Sequence, residues 1–343
     1  MAHYKLALLG FGNVGQSLAE LLMRKQKELA SDQDITFSVT GIATGKHGSI
    51  IDDKGIDLAK ALEVLQQGGR LDDIPSVRIC KDNFEFIKNC GADLLFENSP
   101  VNYATGQPAI DHIKTALSWP MHVATANKGP VVHAYRELTE LARAHGKQFL
   151  FESTVMDGAP IFSLFRSALP GAKLKSFRGV LNSTTNLILT RMETGEPFEE
   201  AVKYAQSIGI AETDPSGDVD GWDSAIKVAA LVTVLMGIPL KPQEVEREGI
   251  RGLTYAKIEA ARKENKRWKL VCSAERDGEA IMARVRPEIV SGSSQLYNIE
   301  GTTSIIEFET DVLGRLSLCE TDPDPKTTAY GLLADLINAV NKR

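Results

Sequence analysis

The sequence predicts an α/β protein, with an N-terminal doubly wound parallel sheet followed by a second domain of the α+β class. Two observations predict the first domain. Its apolar runs are short and do not alternate with polar residues, and helical patterns separate them, as expected for parallel strands that helices cover on both faces. After Pro160 the strands and helices no longer alternate strictly, which indicates the α+β class.

The first half predicts five strands and three helices of the main sheet. The strands are Lys5–Leu9, Thr36–Ala43, Asp93–Glu97, His122–Thr125 and Gln148–Glu152. The helices are Val14–Lys27, Ala109–Ser118 and Val131–His145. The segment Thr44–Ser76 is longer than an ordinary loop and carries its own helical pattern, Ile56–Gln67. We therefore expect an insertion at the edge of the sheet.

The second half mixes strands and helices without strict order. The predicted strands are Lys173–Leu181, Lys269–Ala274, Ala280–Val285 and Ser304–Thr310. The predicted helices are Pro197–Ile208, Trp222–Met236 and Lys326–Val340. The last of these is amphipathic and could pack on either domain; we assign it to the first. The predicted domains are thus residues 1–152 with 323–343, and residues 153–322.

Composition narrows the class of function. The chain has 343 residues and a formal net charge of −6, spread along its length, which argues against a nucleic-acid or anionic-membrane binder. Its four cysteines form no CxxC pair, so neither a disulfide framework nor a zinc knuckle is indicated. The N-terminus lacks a signal-peptide pattern, and the longest apolar stretch, Val228–Leu240, is too short to cross a bilayer. We expect a cytoplasmic protein whose partner is a small molecule.

A glycine-rich turn follows the first predicted strand and opens the first helix. Gly10 permits a tight turn, Gly12 lets backbone N–H groups approach a pyrophosphate, and Gly15 lets the helix pack close to the strand. An ordinary structural turn is the alternative, but the strand and helix on either side favour dinucleotide binding. The predicted cofactor contacts here are Gly10, Phe11, Gly12, Asn13, Val14 and Gly15.

The end of the second strand indicates which dinucleotide binds. NAD is usually held there by a carboxylate on its ribose, but residues 41–47 contain no acid. Thr44 and Lys46 occupy this position instead, and a cation could meet the 2′-phosphate of NADP. The sequence therefore favours NADP over NAD, with a solvated loop lysine as the alternative interpretation of Lys46.

The densest chemistry lies between Gly209 and Lys227. This segment has five carboxylates in a loop that Pro and Gly interrupt, and it runs into an apolar helix. Asp223 and Lys227 are four residues apart and should project from one helix face. Because crowded carboxylates repel, such a cluster usually binds something. An exposed acidic loop with an ordinary ion pair is one alternative, and a divalent-metal loop is another, although the spacing is not that of an EF-hand.

A second lysine, Lys128, follows a parallel strand at its carboxyl end, within Thr125-Ala126-Asn127-Lys128. Open α/β sheets bind ligands at that edge. A buried lysine near another lysine and a cofactor can have a lowered pKa and exchange protons near neutrality. Lys128 is therefore a candidate for proton transfer.

Together these segments resemble homoserine dehydrogenase, the NAD(P)-linked enzyme that interconverts aspartate semialdehyde and homoserine on the way to threonine and methionine. The resemblance covers nearly the whole chain, in the short form without a C-terminal regulatory domain. Besides the glycine turn and residues 125–128, the matching motifs are Glu152-Ser-Thr-Val155, Asn182-Ser-Thr184-Thr-Asn186 and the long, specific Glu212-x-Asp214-Pro215-x-x-Asp218-x-x-Gly221-x-Asp223-x-x-x-Lys227. It implies a Rossmann domain, a second domain that mediates dimerisation, and a homodimer.

The resemblance also implies roles for single residues. Lys128 and Lys227 would relay the proton at the substrate hydroxyl while hydride moves to or from the nicotinamide. The residues assigned to the substrate are Ser183, Thr184, Glu212, Asp218 and Asp223. Among them Glu212 and Asp218 would hold the ammonium, and Asp223 would orient the amino alcohol and Lys227. Further cofactor contacts are assigned to Thr44, Lys46, Asn98, Ser99 and Lys128. A monovalent cation, Na⁺ or K⁺, would bind carbonyls of Glu152, Val155, Asp157 and Ala159.

Several positions depart from the family pattern. Ser183 replaces a glycine and Ile210 an aromatic residue, both near the expected substrate. Asp157 replaces a glycine of the cation loop, which counts against that site. Leu318–Thr328, with its acids and prolines, stands where a Gly-x-Gly-Ala-Gly stretch is usual. Two alternatives therefore stay open: a related dehydrogenase of another small polar alcohol or semialdehyde, and a dinucleotide-binding sensor without turnover.

Overall fold

The computed structural model describes residues 1–75, 77–278 and 280–341. Two compact units make up the chain: unit 1 is Met1–Pro160 with the chain from Asp324 onward, and unit 2 is Ile161–Pro323. Ser76, the last residue of the predicted insertion, and residues 342–343 of the predicted first domain lie outside the described part.

Unit 1 is built on a seven-stranded sheet in the order β4-β3-β2-β1-β5-β6-β7. Its strands are β1 (Ala2–Leu9), β2 (Ile35–Ala43), β3 (Ser49–Ile51), β4 (Arg78–Ile79), β5 (Leu94–Glu97), β6 (His122–Thr125) and β7 (Phe149–Leu150). The pairs among β2, β1, β5, β6 and β7 are parallel, whereas β3 and β4 join antiparallel at the edge. The parallel sheet is confirmed. β3 lies in the segment expected to be an insertion, and β4 follows directly after it.

Helices cover this sheet. They are α1 (Asn13–Gln33), α2 (Leu58–Gln66), α3 (Asn83–Asn89), α4 (Ala109–Ser118) and α5 (Lys128–Ala144). The central strand β1 is fully buried at Leu6 and Leu8, which is why its sequence shows no alternation. α1 runs further than predicted and ends where Asp34 takes a left-handed conformation, φ 57°.

The segment after β7 belongs to unit 1 because it is bonded to the C-terminal helix, Pro325–Val340, α12 in chain order. The Glu152 N–H donates to Asp335 Oδ2 at 2.8 Å, and Ser153 Oγ donates to the carbonyl of Thr328 at 2.7 Å. Leu332 and Leu336 of α12 are fully buried in the core of the unit. The structure therefore divides the chain after Pro160, later than the sequence division after residue 152.

Unit 2 contains a six-stranded sheet in the order β13-β12-β8-β10-β11-β9. Its strands are β8 (Leu174–Val180), β9 (Glu246–Arg247), β10 (Lys266–Asp277), β11 (Ala280–Ser291), β12 (Ser304–Thr310) and β13 (Arg315–Glu320). All pairs are antiparallel except that of β9 with β11. β10 and β11 pair along their whole length, from Lys266 opposite Ser291 to Asp277 opposite Ala280, so both are longer than predicted.

The helices of unit 2 carry the predicted substrate residues other than Glu212, which lies between α8 and α9. They are α6 (Ile161–Ser163), α7 (Ser183–Met192), α8 (Phe198–Ser207), α9 (Ser216–Val219), α10 (Trp222–Leu231) and α11 (Tyr255–Lys263). α10 packs against β10 and β11 and continues as a π-helical turn, Val232–Met236. Within the described ranges, no helix combines the length and the apolar character needed to cross a membrane.

A lysine is completely buried in unit 2. Lys269 on β10 has no exposed surface, and its Nζ donates to Asn186 Oδ1 at 3.0 Å and to the carbonyl of Ile299. Burial lowers the pKa of Lys269 to about 8, although the nearby Glu193 carboxylate opposes the shift. The charged form of this lysine is therefore destabilised in the folded protein.

We predict that wild type gains stability relative to Lys269→Met as the pH rises from about 8 to about 10.5. In that window the unfolded chain holds a proton on this lysine that the folded protein lacks, so unfolding free energy rises with pH, by roughly 3 kcal/mol in total. Denaturant unfolding of both proteins between pH 7 and 10.5 measures the difference. Lys175→Met, at an exposed position of β8, controls for loss of a lysine; a constant difference for Lys269→Met would contradict the prediction.

Candidate active site

The glycine turn of unit 1 is shaped by its close neighbours. Gly10 has φ +97°, and a Cβ there would overlap the carbonyl of Asn98. A Cβ on Gly15 would overlap the carbonyl of Gly10, whereas a Cβ on Gly12 would have no atom within 4 Å. The first and third glycines are thus required by packing, and the second borders open space into which a ligand can approach.

The N-terminus of α1 is arranged to accept an anion. Gly12 is its N-cap, no side chain caps it, and its first turn contains no acidic residue. The first backbone N–H groups and the positive end of the helix dipole suit a pyrophosphate, so this turn fits a dinucleotide. Phe11 is only 3% exposed and Val14 packs on the core. Those two residues can therefore contribute backbone atoms to the turn, while their side chains serve the core.

Two basic residues, Lys46 and Arg70, meet in the turn after β2, where the sequence predicts the adenosine ribose. We call them the basic pair. Thr44 Oγ1 accepts from the N–H groups of Lys46 and His47, at 3.3 and 2.6 Å, and folds this turn. Arg70 donates through Nη1 to the Lys46 carbonyl at 3.0 Å and pairs with Asp72 at 2.6 Å. Arg70 was not predicted from the sequence. It lies 24 residues after Lys46, at the far end of the insertion, and contacts between such distant residues have no local sequence signal.

The other predicted cofactor residues, Asn98, Ser99 and Lys128, follow the carboxyl ends of β5 and β6. The Asn98 N–H donates to the Leu9 carbonyl at 2.7 Å, and Asn127 Nδ2 donates to the Ser99 carbonyl at 2.9 Å. Asn127 also caps α5 by accepting from the Gly129 N–H at 3.0 Å. Lys128, half-buried, is the first residue of that helix. The loops that carry Asn98, Ser99 and Lys128 are thus bonded to each other.

In unit 2 two carboxylates meet at one amide. Asn182 Nδ2 donates to Asp218 Oδ1 at 2.6 Å and to Asp223 Oδ2 at 3.1 Å. Its Oδ1 caps α7 by accepting from the Thr185 N–H at 2.8 Å, and the residue is 4% exposed. The motif around Asn182 was visible in the sequence, but this bridging role was not.

Lys227 completes this group, which we call the carboxylate–lysine array: Asn182, Asp218, Asp223 and Lys227. Lys227 Nζ lies 3.0 Å from Asp223 Oδ2 and donates to the Leu181 carbonyl at 2.6 Å. Burial, together with the charge of Asp223, raises the pKa of Asp218, against hydrogen bonds from Asn182 and Thr184. The array thus contains two carboxylates and one lysine.

The remaining carboxylates of the acidic segment point elsewhere. Asp214 accepts from the Ser216 N–H at 3.0 Å, and Asp220 pairs with Arg251 at 2.5 Å. Glu212 is exposed. Of the five acids, two converge. Across the described ranges, no three or more His, Cys, Asp or Glu side chains are grouped so that they could hold a metal ion.

The other substrate candidates surround the start of α7. Ser183, half-buried, is its first residue, and Thr184 is buried, with its hydroxyl 3.3 Å from the Ile210 carbonyl. The N-terminus of α7 contributes backbone N–H groups beside the array. This arrangement places donors for an anion next to carboxylates for a cation.

The predicted cation loop is bonded to α12. Asp157 has φ 40°, its Oδ1 accepts from the Thr328 hydroxyl at 2.5 Å, and its carbonyl faces Gly331. Carbonyl oxygens suit a monovalent cation in type. These contacts hold Asp157 to the helix.

The segment that replaces the family's glycine-rich stretch is also ordered by its own residues. Leu318–Glu320 extend β13 opposite β12. Asp324 caps α12 by accepting from the N–H groups of Lys326 and Thr327, at 2.7 and 3.1 Å. The N-terminus of α12 is thus occupied by a carboxylate of the chain itself.

Models of the homoserine dehydrogenase family match the sequences of both units. The family model of the homoserine dehydrogenase NAD-binding domain matches residues 10–152, and the homoserine dehydrogenase model matches residues 160–337. The chain is 36% identical over 339 residues to an NAD(+)-dependent homoserine dehydrogenase of Pseudomonas canavaninivorans, covering 98% of this chain and 96% of that one. It is 37% identical to a homoserine dehydrogenase of Methanocaldococcus jannaschii, covering 98% of each.

Solved structures show the same fold. A hyperthermophilic archaeal homoserine dehydrogenase in complex with NADPH superposes with a TM-score of 0.83 at 31% identity, covering 98% of each chain. The family models span most of the sequence and the relatives cover nearly all of it. The chain therefore belongs to the homoserine dehydrogenase family of NAD(P)-dependent oxidoreductases.

Proposed function

We propose that this protein interconverts L-homoserine and L-aspartate 4-semialdehyde with NADP(H), and that Lys227 transfers the proton. The carboxylate–lysine array of unit 2 carries this proposal, because it combines a site for an ammonium with a lysine that can act on a hydroxyl. The family supplies the reaction class. An array with these residues in contact also speaks against the alternative of a sensor without turnover.

The array suits an amino-acid substrate. Asp218 and Asp223 share a single amide, and burial, together with the charge of Asp223, raises the pKa of Asp218. A substrate ammonium would relieve this repulsion through charge-assisted hydrogen bonds. The substrate carboxylate would take backbone N–H groups at the start of α7, beside Ser183 and Thr184, where the helix dipole favours an anion.

Lys227 is our candidate for the proton transfer. In the direction of semialdehyde reduction its ammonium donates a proton to the oxygen that becomes the hydroxyl, and in the reverse direction the neutral amine takes that proton back. Asp223, 3.0 Å away, fixes the orientation of the amine. The nicotinamide, when bound, supplies or accepts the hydride. Lys128 as a second member of the relay, and Glu212 as a second ligand of the ammonium, stay predictions from the family resemblance.

The preference for NADP rests on the basic pair after β2. Lys46 is exposed, and Arg70 is held against the carbonyl of Lys46. No acid follows β2 at the position where a ribose of NAD would be bound. Lys46, and Arg70 with its partner Asp72, would meet the additional phosphate of NADP there.

Three further predictions from the sequence stay predictions. They are the homodimer, the cytoplasmic location and the monovalent cation at Glu152, Val155, Asp157 and Ala159. A related substrate, another small polar alcohol or semialdehyde, is the second candidate function. It is favoured by one observation, the Ser183 side chain at the first position of α7, where the family has glycine.

We predict that Lys227→Ala lowers kcat for semialdehyde reduction by about 10²–10⁴-fold, the usual contribution of general acid catalysis, and leaves NADPH binding intact. Initial rates and nicotinamide fluorescence measure the two quantities. Lys263→Ala is the matched control, since Lys263 forms an i,i+4 pair with Glu259 on an exposed helix and should keep full activity. An unchanged rate for Lys227→Ala would remove this lysine from the mechanism. Wild type that turns over another alcohol or semialdehyde, but not homoserine, would favour the second candidate function.

We predict that Asn182→Asp moves the acid limb of the kcat/KM profile for homoserine upward by about one pH unit. The substitution keeps the cap of α7 but replaces the shared donor with a third carboxylate, which raises the pKa of Asp218 further. Since Asp218 must be ionised to bind the ammonium, activity is then lost at a higher pH. Asn186→Asp is the control in the same helix, because Asn186 faces Gly301 and Lys269 instead. A limb that moves equally in both variants would contradict the assignment.

We predict that Arg70→Gln raises KM for NADPH by about tenfold, the loss of one charge-assisted hydrogen bond, and leaves KM for NADH unchanged. Steady-state kinetics with both cofactors measure the ratio. Arg78→Gln is matched, since Arg78 is an exposed arginine that also donates to a carbonyl, that of Asn89. Equal effects on both cofactors would contradict a role for Arg70 at the 2′-phosphate.

A further inference from the structure

We propose that Glu97 is a positioning residue. It fixes the loop that carries Asn98 and Ser99 and the loop that leads to Lys128. Glu97 is the last residue of β5 and has no exposed surface. Its Oε1 accepts from the Ser99 hydroxyl and, at 3.3 Å, from the Ser99 N–H. Its carboxylate thus holds the loop that begins at Asn98 directly against the sheet.

The same carboxylate reaches the loop after β6. The Thr125 hydroxyl donates to the Glu97 carbonyl at 2.6 Å and lies 3.3 Å from its Oε2. Thr125 Oγ1 accepts from the Asn127 N–H at 2.9 Å, and Asn127 Nδ2 donates to the Ser99 carbonyl at 2.9 Å. Glu97, Ser99, Asn127 and Thr125 therefore form a closed ring of hydrogen bonds, and Lys128 is the residue that follows it.

Behind the ring lies a buried histidine. His112 on α4 is 2% exposed, and its Nδ1 lies 3.6 Å from Glu97 Oε1. Its Nε2 lies 3.2 Å from the Asn83 amide nitrogen, and its Nδ1 is just beyond hydrogen-bond distance of the carboxylate. A carboxylate removed from water needs hydrogen-bond donors, since an unpaired buried charge is strongly destabilising. Ser99 and Thr125, both members of the ring, supply such donors to the Glu97 side chain.

The ring gives Glu97 a role that a core residue would not have. Its bonds join the ends of β5 and β6, where open α/β sheets bind ligands, and not the middle of the sheet. A neutral amide of the same shape would present N–H groups to donors, so at least one bond of the ring must break. We expect the loops of Ser99 and Lys128 then to lose their common position. The proposal rests on the proposed function only in taking these loops as the NADPH site.

The test is the affinity for NADPH, measured by nicotinamide fluorescence without substrate. Glu97→Gln is expected to raise the Kd by about tenfold, as for a lost hydrogen bond to a charged group. Thr125→Val, which removes the hydroxyl at the other side of the ring, is expected to act in the same direction. Both substitutions break the same ring. The double variant should therefore have a Kd for NADPH no higher than that of the single variant that binds NADPH more weakly.

Asp93→Asn is the matched control. Asp93 precedes the same strand at its other end and accepts from the Lys5 N–H at 2.8 Å, so its loss removes a structural carboxylate away from the loops and should leave the Kd unchanged. A wild-type Kd for Glu97→Gln, or additive effects of the two ring variants, would overturn the proposal. Thermal melting checks folding, and if Glu97→Gln does not fold, a wild-type Kd for Thr125→Val overturns it alone. Wild type that binds no NADPH would instead overturn the proposed function.

Discussion

The close approach of β1 to the loop after β5 is the constraint on which unit 1 depends. The Gly10 N–H donates to the Ala43 carbonyl at 2.9 Å, and the Asn98 N–H donates to the Leu9 carbonyl at 2.7 Å. These bonds leave no space for a Cβ on Gly10, whose positive φ also excludes most side chains. The chain turns there without any bulk, and the N-terminus of α1 is left open at the carboxyl edge of the sheet.

Electrostatics plays the corresponding part in unit 2. Buried charges are costly unless donors or opposite charges compensate them. Lys269, whose charged form burial destabilises, donates to Asn186 behind α7, whereas Asp218 and Asp223 share the amide of Asn182 at the start of the same helix. The two asparagines of α7's motif thus serve different charges. One fixes the helix to the sheet, and the other leaves a site that a cationic substrate group would complete.

The sequence predicted the sheet of unit 1 well because its signals are local. Uninterrupted apolar runs have sharp limits, and β6 has the bounds expected for it, as do α4 and, in unit 2, β12. α7 escaped prediction because it opens with Ser and Thr, which are weak helix formers, and forms where Asn182 caps it. β10 and β11 exceed their predicted lengths because the cross-strand ladder continues past the apolar residues.

The site was predictable only in part, for the same reason. Asp223 and Lys227 lie one helical turn apart, so their contact follows from spacing. Arg70 reaches Lys46 across the insertion, and Asn182 reaches Asp218 from another helix, so neither contact has a signature in local sequence. The five-carboxylate segment was overestimated as a cluster, since Asp214 and Asp220 satisfy their charges through a turn and an ion pair of their own.

The helix N-termini of unit 1 differ in how they are capped. α2 is capped by Asp57, α3 by Asp82, α5 by Asn127 and α12 by Asp324. α4 has no side-chain cap, but Asp111 lies in its first turn. α1 has neither a cap nor an acid, although a capping residue at position 12 would meet no steric obstacle and would typically stabilise the helix by about 1 kcal/mol. A carboxylate at this end would repel a phosphate, so a dinucleotide site at α1 requires the uncapped terminus. The N-terminus of α12 differs, because the Asp324 carboxylate already caps it.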